Sequence, residues 1–211
     1  MRNIIFNATN TYLLSGSGLP GSNIFTDPND RLRFILLLLS LQSPIPIHNI
    51  TWYLGALKKR NVLPFGEQVL GKIMKYKYIE VIAFGVSQNS YEIIIKTHKD
   101  HLPSVYMHRL LTAYGKYYSF KVRSKGHVFV GPFEAEKISN ADLGEAIDQL
   151  HARHIDEAAK NPEIESLERF SSICDYTDKN RWGELLSIKN SSISTKSKEK
   201  YKYEILKLLQ K

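Results

Sequence analysis

Apolar positions follow two rhythms along this chain. In 79–97, IEVIAFGVSQNSYEIIIKT, two apolar runs flank a polar turn at Ser87, Gln88 and Asn89, the pattern of a β-hairpin. In its second strand Tyr91, Ile93 and Ile95 fall on one face, and Ser90, Glu92, Ile94 and Lys96 on the other, because strand side chains alternate with period 2. The first face reads as core, and the second is where chemistry would sit. Residues 3–9, IIFNATN, read as a first strand, and the Gly/Ser-rich stretch 12–24 as a loop. Asp27 and Pro28 open a helix to about Leu41, with Leu32, Ile35, Leu36 and Leu39 spaced for one-sided burial. Pro44 and Pro46 stop it.

Two short helices, 51–60 and 65–75, read as an insertion within 43–76. Such a pair either reads nucleic acid as a helix-turn-helix or packs as an appendage. A long helix follows over 103–122, with Met107, Leu110, Leu111, Tyr114 and Tyr118 as its core stripe. Residues 127–138 read as a strand broken at Gly131-Pro132, and 142–155 as a helix with Asn140 at its N-cap. An irregular stretch holds FSSICDY, and 201–209 reads as a short amphipathic helix. The order strand, helix, hairpin, helix, strand, helix predicts an α+β fold, ferredoxin-like in outline. Its antiparallel sheet would carry helices mainly on one face.

Composition narrows the function classes. The chain has 211 residues, 43% of them hydrophobic, enough for one sizeable core. No apolar run approaches the roughly 18 residues of a membrane span, and the N-terminal residues lack a signal-peptide pattern. The single Cys174 forms no internal disulfide and no thiolate cluster for zinc, so the expected location is a reducing cytoplasm. The formal net charge is +8, unevenly spread. Residues 58–77 carry Lys58, Lys59, Arg60, Lys72, Lys75 and Lys77 against Glu67, and 189–211 carry seven lysines against Glu199 and Glu204. Residues 141–170 reverse the balance, with eight acids. A basic field of this kind suits a polyanionic partner.

Five stretches, in this order, carry a resemblance: IFTDPNDRLRFILLL at 24–38, VIAFGVSQNSYEIIIKT at 81–97, MHRLLTAYGKYYSFKVRSKGHVFVGPFEA at 107–135, DLGEAIDQLHARHI at 142–155 and RFSSICDY at 169–176. Together they resemble the single-strand tyrosine transposases, most closely the REP-associated type. The third stretch, a long helix followed by a strand like the family's GxLFxGxF, is the most specific. The resemblance covers most of residues 1–180 and implies a transposase-like domain there, with 181–211 as a basic extension. It implies a fold that holds DNA hairpins and single strands. It also implies attack by a tyrosine on a phosphodiester, assisted by a divalent metal such as Mg²⁺.

The departures matter more than the matches. Where the family has His-hydrophobe-His, this chain has Ser90-Tyr91-Glu92, and Gln149 stands where the family's last helix presents its tyrosine. Two imidazoles that would hold the metal are absent, and an amide cannot attack a phosphodiester. The expectation is therefore a degenerate, non-catalytic copy with no cofactor. Lys96 on the second strand face would supply positive charge without chemistry. Arg109, Lys116, Lys121, Arg123 and Lys125, with Tyr117 and Phe120 among them, form a basic and aromatic stripe suited to phosphates and unpaired bases. Lys196, Lys198, Lys200 and Lys202 form a basic arm. His151 and His154, three apart, can be read as half of a metal site or as helix-surface histidines.

Three functions stay open at this level. The first is a binder of structured single-stranded DNA or RNA, including a subunit of a ribonucleoprotein such as the ribosome, alone or as a homodimer. The second is an active metal-dependent transposase or nuclease with substituted ligands. The third is a protein-docking module.

Overall fold

The computed structural model describes residues 4–25, 27–60, 63–159, 170–177 and 180–188. Strands β1 (Thr11–Ser17), β2 (Ile79–Val86), β3 (Ser90–Thr97) and β4 (Glu134–Ile138) form one antiparallel sheet in the order β2-β3-β1-β4. Helices α1 (Pro28–Ser40) and α4 (Leu102–Val122) connect β1 to β2 and β3 to β4. Helices α2 (Ile50–Arg60) and α3 (Glu67–Lys75) interrupt the first connection, and α5 (Leu143–Ala159) and α6 (Ile173–Thr177) follow the sheet. The fold is α+β. Among the described residues no helix is long and apolar enough to cross a membrane.

The hairpin forms where the alternation places it. Tyr91, Ile93 and Ile95 are buried, and Tyr12 and Leu14 of β1 stand opposite Ile95 and Ile93 on the same face. Phe34 of α1 and Tyr114 of α4 close this core, with ring centroids 5.1 Å from Phe34 to Tyr91 and 5.3 Å from Phe34 to Tyr114. Asp27 caps α1, its carboxylate accepting from the Asn29 N–H at 2.8 Å.

Several expectations need correction, among them the strand over 127–138, of which only Glu134–Ile138 forms. Residues 4–10 are not a strand: Thr9 has φ 66°, and Phe6 packs its ring against Tyr12 at 4.9 Å instead. The first strand is the Gly/Ser-rich Thr11–Ser17, because Tyr12 and Leu14 supply the inward side chains and Gly16 lets the Tyr91 ring lie against the backbone. Helix α1 is not buried on one side only. Every residue from Phe34 to Ser40 is buried, since α2 covers its outer face with Leu54 and Leu57. Helices do not gather on one face of the sheet: α1 and α4 cover the Tyr91 face, while α5 covers the opposite one, which is why Ile94 is fully buried.

The FSSICDY stretch is ordered rather than irregular. It runs along the free edge of β2, where Val86 N–H donates to Phe170 O at 3.0 Å and Ser172 N–H to Phe84 O at 2.9 Å. Farther on, Ser187 N–H donates to Val81 O at 2.8 Å, while the Gln42 side chain accepts from Val81 N–H at 2.9 Å. The edge groups that would otherwise be open to another strand are thus paired. Trp182, Leu185 and Leu186 join the same core, so tight packing continues to the end of the described chain.

Candidate functional site

The face of β3 opposite the core carries Ser90 and Glu92, at the mouth of a cavity of about 380 Å³. Ser15, Ser17 and Glu134 from neighbouring strands line it, together with Arg153 and His154 of α5. Glu92 stands opposite Gly85 on β2 and Ser15 on β1. Gly85 decides how closely α5 approaches: a Cβ there would run into the His154 ring. With no side chain in the way, His154 lies on the strand and is buried.

Every atom of the Glu92 carboxylate is engaged. Arg153 Nε donates to Oε2 at 3.0 Å, and its Nη2 lies 3.0 Å from Oε1, a two-point grip. His154 Nε2 is 3.4 Å from Oε2, and its Nδ1 is 3.1 Å from the Ser87 hydroxyl. Nε2 thus faces the carboxylate and donates to it, while Nδ1 shares a hydrogen bond with the Ser87 hydroxyl. Burial works to raise the Glu92 pKa, but the hydrogen bonds from His154 and Arg153 outweigh it and hold the carboxyl below its ordinary value.

This donor set does not fit a catalytic divalent cation. A guanidinium occupies the approach to the Glu92 carboxylate, and its positive charge opposes a second cation there. Among the described residues no group of three or more His, Cys, Asp or Glu is arranged to hold a metal. His151 does not join His154 in a shared site. It is fully buried, bonded to the Ser172 hydroxyl at 2.8 Å, and burial, with the neighbouring His154, pushes its pKa down to about 3. Gln149 is exposed one turn before Arg153, and its amide donates to Glu145 at 3.0 Å.

Lys96 shares the face of Glu92 but stands four residues farther along β3, about 13 Å away at strand rise. It lies beside Thr11 and Glu80, outside the cavity. The structure therefore does not bring Lys96 to the Ser90–Glu92 pair.

The stripe on α4 divides in two. Arg109 points inward: its guanidinium donates to Ser43 O at 2.7 Å, to the Tyr78 hydroxyl at 2.8 Å and to Pro44 O at 3.3 Å, tying down the segment after α1. Lys121 bridges Asp27 at 2.9 Å and the buried Asp30 at 2.7 Å. Tyr117 donates to Asp30, and the Arg33 guanidinium lies 4.0 Å from the centre of its ring. These three residues hold α4 to the start of α1 and the segment beyond it. Lys116, Arg123 and Lys125 are exposed and make no ion pair among the described residues, and Phe120 is 87% exposed beside them.

Lys116 lines a groove of about 610 Å³ between α4 and the 126–133 loop. His108, His127 and the Phe129 ring line it as well, with hydroxyls from Thr112 and Ser119. The groove combines hydrogen-bond donors, an aromatic ring and free positive charge at its rim. Lys196, Lys198, Lys200 and Lys202 lie outside the described residues.

Two features escaped the sequence. Arg153 escaped because only its place one turn after Gln149 marks it, and the sequence does not show that it meets Glu92. The groove escaped because its walls come from a helix and a loop that only tertiary packing brings together.

No protein-family model matches the chain, and no curated protein matches it in sequence. A solved structure of a REP-associated tyrosine transposase bound to a REP hairpin does match, at a TM-score of 0.51 and 12% sequence identity. The match covers 86% of this chain and 87% of that one. At this identity the likeness is one of fold, and it agrees with the resemblance read from the five sequence stretches. Over 86% of its length, the chain is similar in fold to a REP-associated tyrosine transposase.

Proposed function

We propose that this chain is a non-catalytic, transposase-derived nucleic-acid-binding protein that grips structured single strands or hairpins. The observation that carries this reading is the Arg153–Glu92 grip: the place where metal-assisted cleavage would occur holds an ion pair. Lys116, meanwhile, lines the α4 groove, and the exposed Phe120, Arg123 and Lys125 follow it at and just beyond the end of α4. Phosphates would lie along the cations, and unpaired bases would stack on the aromatic rings. The hairpin held by the structural relative supports this choice of ligand. The βαββαβ order, with α1 and α4 on one face, supports a ferredoxin-like scaffold carrying the α2–α3 insertion.

The test offers purified protein a labelled single-stranded hairpin, as DNA and as RNA, with and without Mg²⁺ or Mn²⁺. Expected is binding that weakens steeply with salt, with no nicking and no labelled band on a denaturing gel. A nucleic acid covalently joined to the protein would show an active enzyme and overturn the reading. Failure to bind any hairpin at low salt would overturn it as well.

A further inference from the structure

We infer that the α2–α3 insertion carries a stacking site for an unpaired base, built on Trp52 and flanked by Lys58 and Lys59. The inference rests on the nucleic-acid-binding reading and extends it to an element with no part in the groove.

Trp52 is 66% exposed, an unusual position for the largest apolar side chain. It is nevertheless held in place. Its ring meets Tyr53 edge-on with centroids 5.1 Å apart, and Tyr53 in turn packs against the buried Phe65 at 4.7 Å. An aromatic platform fixed in advance loses little freedom when a base stacks on it.

Gly55 and Lys59 follow Trp52 on the same side of α2, one and two turns on. Glycine weakens a helix interior, and here packing gives no reason for it: a Cβ at Gly55 would meet nothing within 4 Å. The bare backbone leaves open space at Gly55, between Trp52 and Lys59 in sequence, and we take it as the notch that a sugar-phosphate chain would cross. Lys58 and Lys59 are exposed and make no ion pair among the described residues.

This surface adjoins the basic end of α4. Arg33 donates to the Thr51 hydroxyl at 2.7 Å while its guanidinium covers the Tyr117 ring, so the first turn of α2 is fastened to α4. A hairpin seated against α4 can therefore send its single-stranded flank across α2.

Two tryptophans make this testable, because Trp182 is only 1% exposed. In a Trp182→Phe protein, emission reports Trp52 alone. In the wild-type chain, 2-aminopurine placed in the flank gives the same report from the nucleic acid. Expected is quenching by a hairpin with a single-stranded flank and none by a blunt hairpin. Trp52→Ala should weaken the flanked hairpin roughly tenfold, with the blunt hairpin unaffected and Trp52→Phe restoring most of the loss. Binding of both hairpins with Trp52 silent and Trp52→Ala unchanged would overturn the inference and leave the binding reading standing. Absence of all hairpin binding would overturn both. Selective quenching by a protein partner, with none by nucleic acid, would make this a protein-docking face and defeat the inference.

Discussion

Arg153 meets Glu92 at two points, Nε to Oε2 and Nη2 to Oε1, each at 3.0 Å, while His154 approaches the same carboxylate from the buried side. The two contacts differ in worth. Arg153 is half exposed, so Arg153→Ala should cost about 1 kcal/mol or less. His154→Ala removes a buried ring that touches Ser87, Glu92 and Gly85, and should cost about 2–4 kcal/mol. Urea unfolding of the two variants checks the order. Neither should change hairpin affinity, measured by anisotropy.

Gly85→Ala probes the same contact from the strand. A methyl group there collides with the His154 ring, so α5 must move outward. The expected loss is about 1–3 kcal/mol, as for overpacking in a core. Pairing it with His154→Ala should recover part of the loss, since the colliding ring is then gone. A double-mutant cycle measures that coupling.

Lys121 and Lys116 lie on one helix and should separate cleanly. Lys121→Ala takes the cation from the buried Asp30 carboxylate, leaving the Tyr117 hydroxyl on it, and should destabilise the fold by about 1–3 kcal/mol with hairpin affinity nearly unchanged. Lys116→Ala, Arg123→Ala and Lys125→Ala should do the reverse. Each should leave unfolding midpoints alone and flatten the log-log dependence of hairpin binding on salt by roughly 0.7–0.9. Anisotropy titrations at several salt concentrations decide between the two patterns.

His151 should make the protein sensitive to mild acid. Its folded pKa is depressed to about 3 from an ordinary 6.5, because burial disfavours the charged ring. The folded state therefore holds a neutral imidazole while the unfolded chain takes up a proton below pH 6.5. Stability is complete above that pH and falls as pH drops toward 3, by about 1.4 kcal/mol per unit from this one group. Urea unfolding between about pH 7.5 and about pH 5 should show the slope. His151→Gln, which cannot titrate, should flatten it.

Gly55→Ala should separate stability from binding. Replacing an exposed helical glycine should raise stability by about 0.5–1 kcal/mol. The added methyl fills the notch beside Trp52 and should weaken a flanked hairpin severalfold. Thermal unfolding and anisotropy measure the two effects on one protein.

Much of the fold could be read from the residues. The hairpin was plain because β3 shows period 2 with a bulky inward set, and α1 was plain because Asp27-Pro28 is a strong start signal. β1 was hidden. Its outward positions are Ser15 and Ser17, and Gly16 serves the Tyr91 ring, so local composition spoke for a loop while distant packing decided for a strand. The resemblance directed attention to Ser90 and Glu92, but no residue pattern pointed to the partners that Glu92 meets. Arg153 and His154 reach Glu92 from more than sixty residues away, and no local pattern encodes that meeting. Arg109 and Lys121 looked like surface bases because sequence shows charge and not the carbonyls and carboxylates it meets.

That Phe170, Ser172 and Ser187 pair with β2 has a consequence for the chain's biogenesis. All four strands leave the ribosome before these residues do, so until they follow a nascent sheet has one row of amides and carbonyls offered to any passing polypeptide. Truncation just before Phe170 would fix that transient state permanently. Such a shortened product should accumulate in inclusion bodies, even though every strand and the entire α4 groove are still encoded.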